Sequence, residues 1–236
     1  MKREIRNIFF LLALAAILFA VNIWGYDLWP PDEPRFAQVA REMMQSGDYL
    51  VPHINGEPYK EKPPLLFWAI AAVSWPYGDV NEYTARIPSV KAAVFTILLT
   101  YLLARKLYGA RVAFWAALVL MTNQRFWWQA RFGQIDMLLT CSLTAALLCF
   151  WFWNKNRRAG WLAGFYLASA AGLYAKGPGT LVFPALLAFF FFWNNKKEWR
   201  AMHPVVGVAC IGLLYGAWMI PARMGASTEV GAATSH

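Results

Sequence analysis

The chain has 236 residues, 59% of them hydrophobic and 17% aromatic, with positive mean hydropathy. That excludes an ordinary soluble domain and places it among integral membrane proteins. A net charge of +9 does not imply nucleic acid, because the basic residues fall in short clusters between apolar runs rather than in a stripe. Cys141, Cys149 and Cys210 lie inside apolar runs without metal-ligand spacing and are read as free thiols.

The first apolar run, 8–24, follows Lys2, Arg3 and Arg6. It is longer than a signal h-region, and Asn22-Ile23-Trp24 lacks the small residues of a cleavage site, so residues 1–26 are read as a retained transmembrane helix. Residues 27–87 form a loop outside the membrane that holds most of the chain's carboxylates, Asp27, Asp32, Glu33, Glu42, Asp48, Glu57, Glu61, Asp79 and Glu82. Within it Phe36, Val39, Ala40, Met43 and Met44 recur at helical spacing with polar residues between them. That predicts an amphipathic helix lying on the membrane surface and stopped near Gly47. The run 65–75 after Pro63-Pro64 is too short to span and reads as an interfacial or re-entrant helix.

Six further runs follow within 88–221, at 88–103, 112–122, 135–153, 161–175, 181–193 and 204–220. Several fall short of the roughly 20 residues that cross a bilayer, so they need tilt or local thinning. Basic clusters at Lys2, Arg3 and Arg6, at Arg105, Lys106 and Arg111, at Lys155, Arg157 and Arg158, and at Lys196, Lys197 and Arg200 agree on one orientation. The positive-inside rule then makes the amino terminus cytoplasmic. The small, polar stretch 222–236 reads as a tail, as in a truncated or aberrant end. The fold class is therefore an all-α membrane protein of about seven transmembrane helices, with amphipathic interfacial helices in the first outer loop.

This topology collects Asp32, Glu33, Glu61, Lys62, Arg131, Asp136 and Lys176 at the outer face. Ionisable groups near membrane depth are costly and usually line a cavity. Each has an ordinary reading too. Asp32 precedes a helix and is placed to cap it. Lys60-Glu61-Lys62 reads as a solvated charge run. Arg131 and Asp136 read as anchors of a short turn, and Lys176 as a helix end before Gly177-Pro178. Their shared face is what singles them out.

Four ordered motifs carry a resemblance: Pro31-Asp32-Glu33-Pro34-Arg35, Tyr59-Lys60-Glu61-Lys62-Pro63-Pro64-Leu65, Arg131-Phe132-Gly133-Gln134-Ile135-Asp136 and Lys176-Gly177-Pro178. In this order they resemble the protein O-mannosyltransferase-like superfamily of GT-C glycosyltransferases, with most similarity to bacterial lipid A 4-amino-4-deoxy-L-arabinose transferases. The resemblance covers the amino-terminal half of such enzymes. It implies an inner-membrane enzyme whose active-site loops are periplasmic, which transfers a sugar from a polyprenyl-phosphate donor to a lipid A-like acceptor with inversion. A protein or glycan acceptor, or a non-catalytic polyprenyl-phosphate-binding or transport subunit, is the alternative. By the same resemblance Asp32 and Asp136 are the catalytic carboxylates. Glu33, Arg35, Tyr59, Glu61, Lys62, Arg131 and Lys176 bind substrate. No cofactor is required. The divalent cation of full-length relatives would join Glu61 to histidines from the other half of the protein, so no metal site is expected here.

Overall fold

In the computed structural model residues 2–194 and 196–233 are described; residues 234–236 of the expected tail lie outside them. The protein is a helical bundle. In chain order it contains α1 (Lys2–Ala20), α2 (Asp32–Ser46), a two-stranded hairpin of β1 (His53–Ile54) and β2 (Glu57–Pro58), and α3 (Leu65–Ser74) with a 3-10 turn, Trp75–Tyr77. There follow α4 (Glu82–Tyr108), α5 (Ala110–Thr122), α6 (Gln124–Arg131), α7 (Ile135–Asn156) and α8 (Ala159–Lys176). A 3-10 turn, Pro178–Leu181, leads to α9 (Val182–Asn194), α10 (Lys196–Ala201) and α11 (Pro204–Ala233). Among the described residues three helices are long and apolar enough to cross a membrane, Glu82–Tyr108, Ile135–Asn156 and Trp199–Gly225. Leu65–Tyr77, Ala110–Thr122 and Pro178–Leu187 are shorter apolar helices.

One core joins α1, α4, α5 and α6 through Leu11, Phe19, Ile97, Tyr101, Met121 and Phe126. A second lies within the connection between α1 and α4, where Phe36, Val39 and Met43 of α2 meet Leu66, Phe67 and Ile70 of α3. Full burial of such side chains contributes about 1.5–3 kcal/mol each. The apolar stripe of α2 is thus as expected in register, but it packs on α3, with Phe36 and Phe67 centroids 5.8 Å apart, instead of resting on lipid. Gly47 ends α2 in the left-handed region, φ 72°, its N–H bonded to the Met43 carbonyl. α8 and α11 approach so closely that a Cβ on Gly207 would lie 2.0 Å from the Tyr166 ring.

Three expectations are corrected. The boundary at 87/88 falls inside α4, because Asn81 and Thr84 form a capping box that starts the helix at Glu82. Pro88 sits inside it, in its second turn, where a missing N–H removes only one early bond. The stretch from 222 onward is not a separate tail as far as residue 233, since α11 runs through Pro221 to Ala233. Asp32 is not the cap of α2 either. Pro31 holds that position, Asp32 is the first helical residue, and no side chain caps the helix.

Candidate functional site

One end of the bundle is organised by a buried ion pair. Arg86, in the second turn of α4, is fully buried against Glu33 of α2, with both side chains at 0% exposure. Its Nε and Nη2 donate to the two Glu33 carboxylate oxygens at 3.0 and 2.8 Å. The remaining guanidinium protons reach the carbonyls of Ile23, Tyr26 and Asp27, so every donor is used. The Tyr26 ring lies 4.0 Å from the guanidinium carbon. Glu33 in turn accepts the N–H of Trp29 at 2.8 Å and of Gly133 at 2.6 Å. One carboxylate therefore pins the segment after α1, the start of α2 and the turn between α6 and α7 to α4. Gly133 must be small here, since a Cβ would come within 2.9 Å of the Ala85 carbonyl oxygen.

That placement corrects two assignments. Glu33 has no lone pair left for a substrate, and it is sealed from solvent. Arg131 is buried too, donating to the carbonyls of Leu18 and Phe19 at the end of α1 and lying 4.9 Å from the Trp127 ring centre. It is the turn anchor that its position allowed, not a substrate contact.

The other expected residues gather around an open cleft of about 500 Å³. Tyr59, Glu61, Lys62 and Lys176 line it. The α2–α3 connection delivers the first three, because the hairpin and Pro63-Pro64 fold the chain back over α3. Gly177, at φ 92°, ends α8 and delivers Lys176. Two residues stand at the rim. Arg35 pairs with Glu61 at 3.4 Å, and Asp136 pairs with Lys176, both partners more than a third exposed. Asp32 lies one turn before Arg35, half-buried, with no hydrogen bond among the described residues; it flanks the cleft without lining it. Lys62 has no acidic partner among the described residues, so its charge is available. Burial pushes the Tyr59 hydroxyl above its ordinary value, and the hydrogen bond with Tyr59 raises the Arg35 guanidinium further still. Both groups stay protonated at neutral pH.

The sequence reading missed residues of two kinds. Arg86 carried a signal, an arginine at the start of an apolar run that has to find an acid. The far wall of the cleft comes from α11, through Tyr215, Trp218, Met219, Ala222 and Arg223. Trp218 fixes that wall by donating to the Leu50 carbonyl at 3.0 Å. Counting seven spans puts the end of α11 on the same side as the first loop, but nothing in the sequence marks it as packing there, and Arg223 falls in what reads as tail.

A divalent cation does not fit this set of residues. Among the described residues no three of His, Cys, Asp or Glu cluster. Glu61 is flanked by Arg35 and by Lys60 and Lys62, while His53 lies beside Glu42, away from it.

Comparison with known proteins identifies the family and the fold. The chain is 35% identical over 205 residues to the undecaprenyl phosphate-alpha-4-amino-4-deoxy-L-arabinose arabinosyl transferase of Edwardsiella ictaluri, covering 85% of this chain and 37% of that one. A similar enzyme of Pseudomonas fluorescens is 32% identical, with 89% and 38% covered. The chain therefore spans well under half the length of these curated relatives. Its fold matches the apo crystal structure of ArnT from Cupriavidus metallidurans with a TM-score of 0.83 at 24% identity, over 92% of this chain and 42% of that one. The form of that protein bound to undecaprenyl phosphate matches at 0.81. Residues 61–220, from Glu61 in the cleft to the middle of α11, match the model of the dolichyl-phosphate-mannose-protein mannosyltransferase family, and the chain belongs to that family.

Proposed function

We propose that this chain carries the donor site of a membrane glycosyltransferase that moves a sugar from undecaprenyl phosphate to lipid A or a related envelope acceptor. The relatives' names favour 4-amino-4-deoxy-L-arabinose as the sugar. One observation carries the reading. The cationic cleft shares Pro178 and Tyr215 with an apolar groove of about 560 Å³ between α8, α9 and α11, walled by residues such as Phe165, Leu173, Phe189 and Ile211. A charged head joined to an apolar trough suits a ligand with a phosphate on a long hydrocarbon chain.

The chemistry follows from that placement. The bond between the sugar's anomeric carbon and the donor phosphate oxygen breaks, and an acceptor oxygen bonds to that carbon from the opposite face, inverting it. The leaving group departs as polyprenyl phosphate with an added negative charge. Lys62, Lys176 and Arg223 face the cleft and stabilise that charge as it develops. Lys176 exchanges Asp136 for the phosphate, and Asp136 holds it ready until then. If the acceptor is a hydroxyl, Asp32 removes its proton as general base. If it is a phosphate, no proton moves, and Asp32 faces the positive charge that builds on the sugar. The cleft opens to the periplasm of the inner membrane in this reading.

The test uses the chain in lipid nanodiscs. Undecaprenyl phosphate should be retained, and Lys62→Ala or Lys176→Ala should lower its affinity. Membranes carrying the chain are then supplied with the sugar donor and lipid A. Absence of donor binding by the unaltered chain overturns the proposal. The chain spans well under half the length of its relatives, so binding without transfer is the expected result for it alone. A full-length relative that binds the donor and also fails to transfer would identify a polyprenyl-phosphate-binding subunit instead.

A further inference from the structure

At the far end of the helices lies a second cleft, of about 830 Å³. Arg105 lies 19 residues beyond Arg86 on the same helix, so roughly 28 Å at 1.5 Å per residue separates this end from the ion pair under the donor site. The cleft is walled by Glu4 and Asn7 of α1, Arg105 of α4, and Ala110, Arg111, Phe114 and Trp115 of α5, with Gly109 between the last two helices. We infer that it binds the headgroup of an anionic phospholipid.

Three features support this. The first is charge. Glu4 is paired with Arg105, which leaves Arg111 exposed and without an acidic partner among the described residues. Lys2, Arg6 and Lys106 stand exposed around the same end, and no further carboxylate lines the cleft. The site is net positive.

The second feature is the α4–α5 turn. Gly109, at φ 87°, lets two helices meet with a single residue between them, and no side chain caps α5. The first N–H groups of α5 therefore face the same space as Arg111, and both favour an anion.

The third is the apolar surface directly alongside. Trp115 is 57% exposed, Phe9 74% and Phe10 51%. The Phe10 and Phe114 rings stack at 6.2 Å, and Phe114 meets Trp115 edge-on at 5.9 Å. Cations above a shelf of exposed rings match a phosphate attached to acyl chains, and a soluble anion would leave the rings without a partner. The Glu4–Arg105 pair sets the specificity. Glu4 already has its cation, so an ethanolamine ammonium gains little there and would be repelled by Arg111.

The chain, purified into nanodiscs of mixed phosphatidylglycerol and phosphatidylethanolamine, should be released in native mass spectrometry with phosphatidylglycerol enriched over the bulk ratio. Arg111→Gln should lower that retention roughly fivefold, the effect of one basic residue near an anionic surface. Trp115→Ala should lower it as well. Arg158→Gln, an exposed arginine at the start of α8, should leave it unchanged. Retention at the bulk ratio, enrichment of phosphatidylethanolamine, or an equal loss in Arg158→Gln each overturns the inference, the last by showing a general surface charge effect.

Discussion

The Arg86–Glu33 and Lys176–Asp136 pairs each join an acid and a base far apart in sequence, 53 and 40 residues respectively. Their surroundings differ in every respect. The first is sealed, with every guanidinium proton and both carboxylate oxygens engaged. The second is more than a third exposed at the edge of a cleft, and each partner has capacity left over. Burial makes a charge costly unless it is satisfied, and once satisfied it is fixed in place. Exposure makes a pair weak and therefore exchangeable. The sealed pair holds the site together, and the open pair can trade its acid for a phosphate.

The largest effect should come from breaking the sealed pair. Glu33→Ala leaves a buried guanidinium without its counter-charge, which typically costs 3–5 kcal/mol. It also removes the acceptor for the Trp29 and Gly133 amides. Thermal unfolding in detergent should show a large loss of stability. A variant as stable as the parent would mean that the pair does not organise this end.

Next in size is the open side. Lys62→Ala should leave the melting temperature within a degree or two, because Lys62 has no ion-pair partner to lose. In a full-length form it should lower transfer roughly hundredfold, the scale of one lost contact to a developing oxyanion. In the same form Asp32→Asn should abolish transfer with donor binding retained. A Lys62 variant that loses stability and keeps transfer would reverse the roles assigned to the two pairs.

Asp136→Asn separates the pairs more finely. An exposed ion pair contributes about 0–1 kcal/mol, so stability should change little. Lys176, released from its acid, should hold undecaprenyl phosphate more tightly, while the product phosphate should leave more slowly. Unchanged donor affinity would show that Lys176 is not shared between Asp136 and the phosphate.

Much of this was legible in the sequence. The gathering of Glu61, Lys62 and Lys176 at one end follows from counting spans and basic turns, and the α2 register follows from Phe36, Val39 and Met43. The helix ends were harder to read. Pro88 reads as a start, while the Asn81 and Thr84 capping box places the true start six residues earlier. The division of labour within Asp32-Glu33 was not legible at all. Adjacent residues on a helix point about 100° apart, so one carboxylate turns into the core and the other stays at the surface, and only the position of Arg86 decides which. For the same reason the contribution of α11 could not be read, since helix packing partners far apart in sequence leave no local pattern.

The smallest expected effect concerns a third acid, intermediate between the two pairs. Glu42 on α2 accepts the N–H groups of Asn55 and Gly56 at 2.7 and 3.2 Å and the Gln38 amide at 2.8 Å, and so ties the hairpin tip to the helix. Burial alone would raise its pKa; the donated hydrogen bonds, aided by His53, outweigh it and hold the carboxyl below the usual carboxylate value. A group with a depressed folded value contributes stability above its unfolded value, near 4.3, and loses it as pH falls through the lower folded one. The Asn55 and Gly56 amides should therefore stay protected from hydrogen exchange at pH 6 and lose protection, after correction for intrinsic rates, as pH drops below the unfolded carboxyl value. Glu42→Gln should weaken that protection at pH 6 and remove its pH dependence. The buried core around Phe36 and Phe67 should not respond over the same range. Loss of protection throughout α2 at the same pH would mean that the hairpin and the helix unfold as one unit, with Glu42 holding the helix rather than the tip.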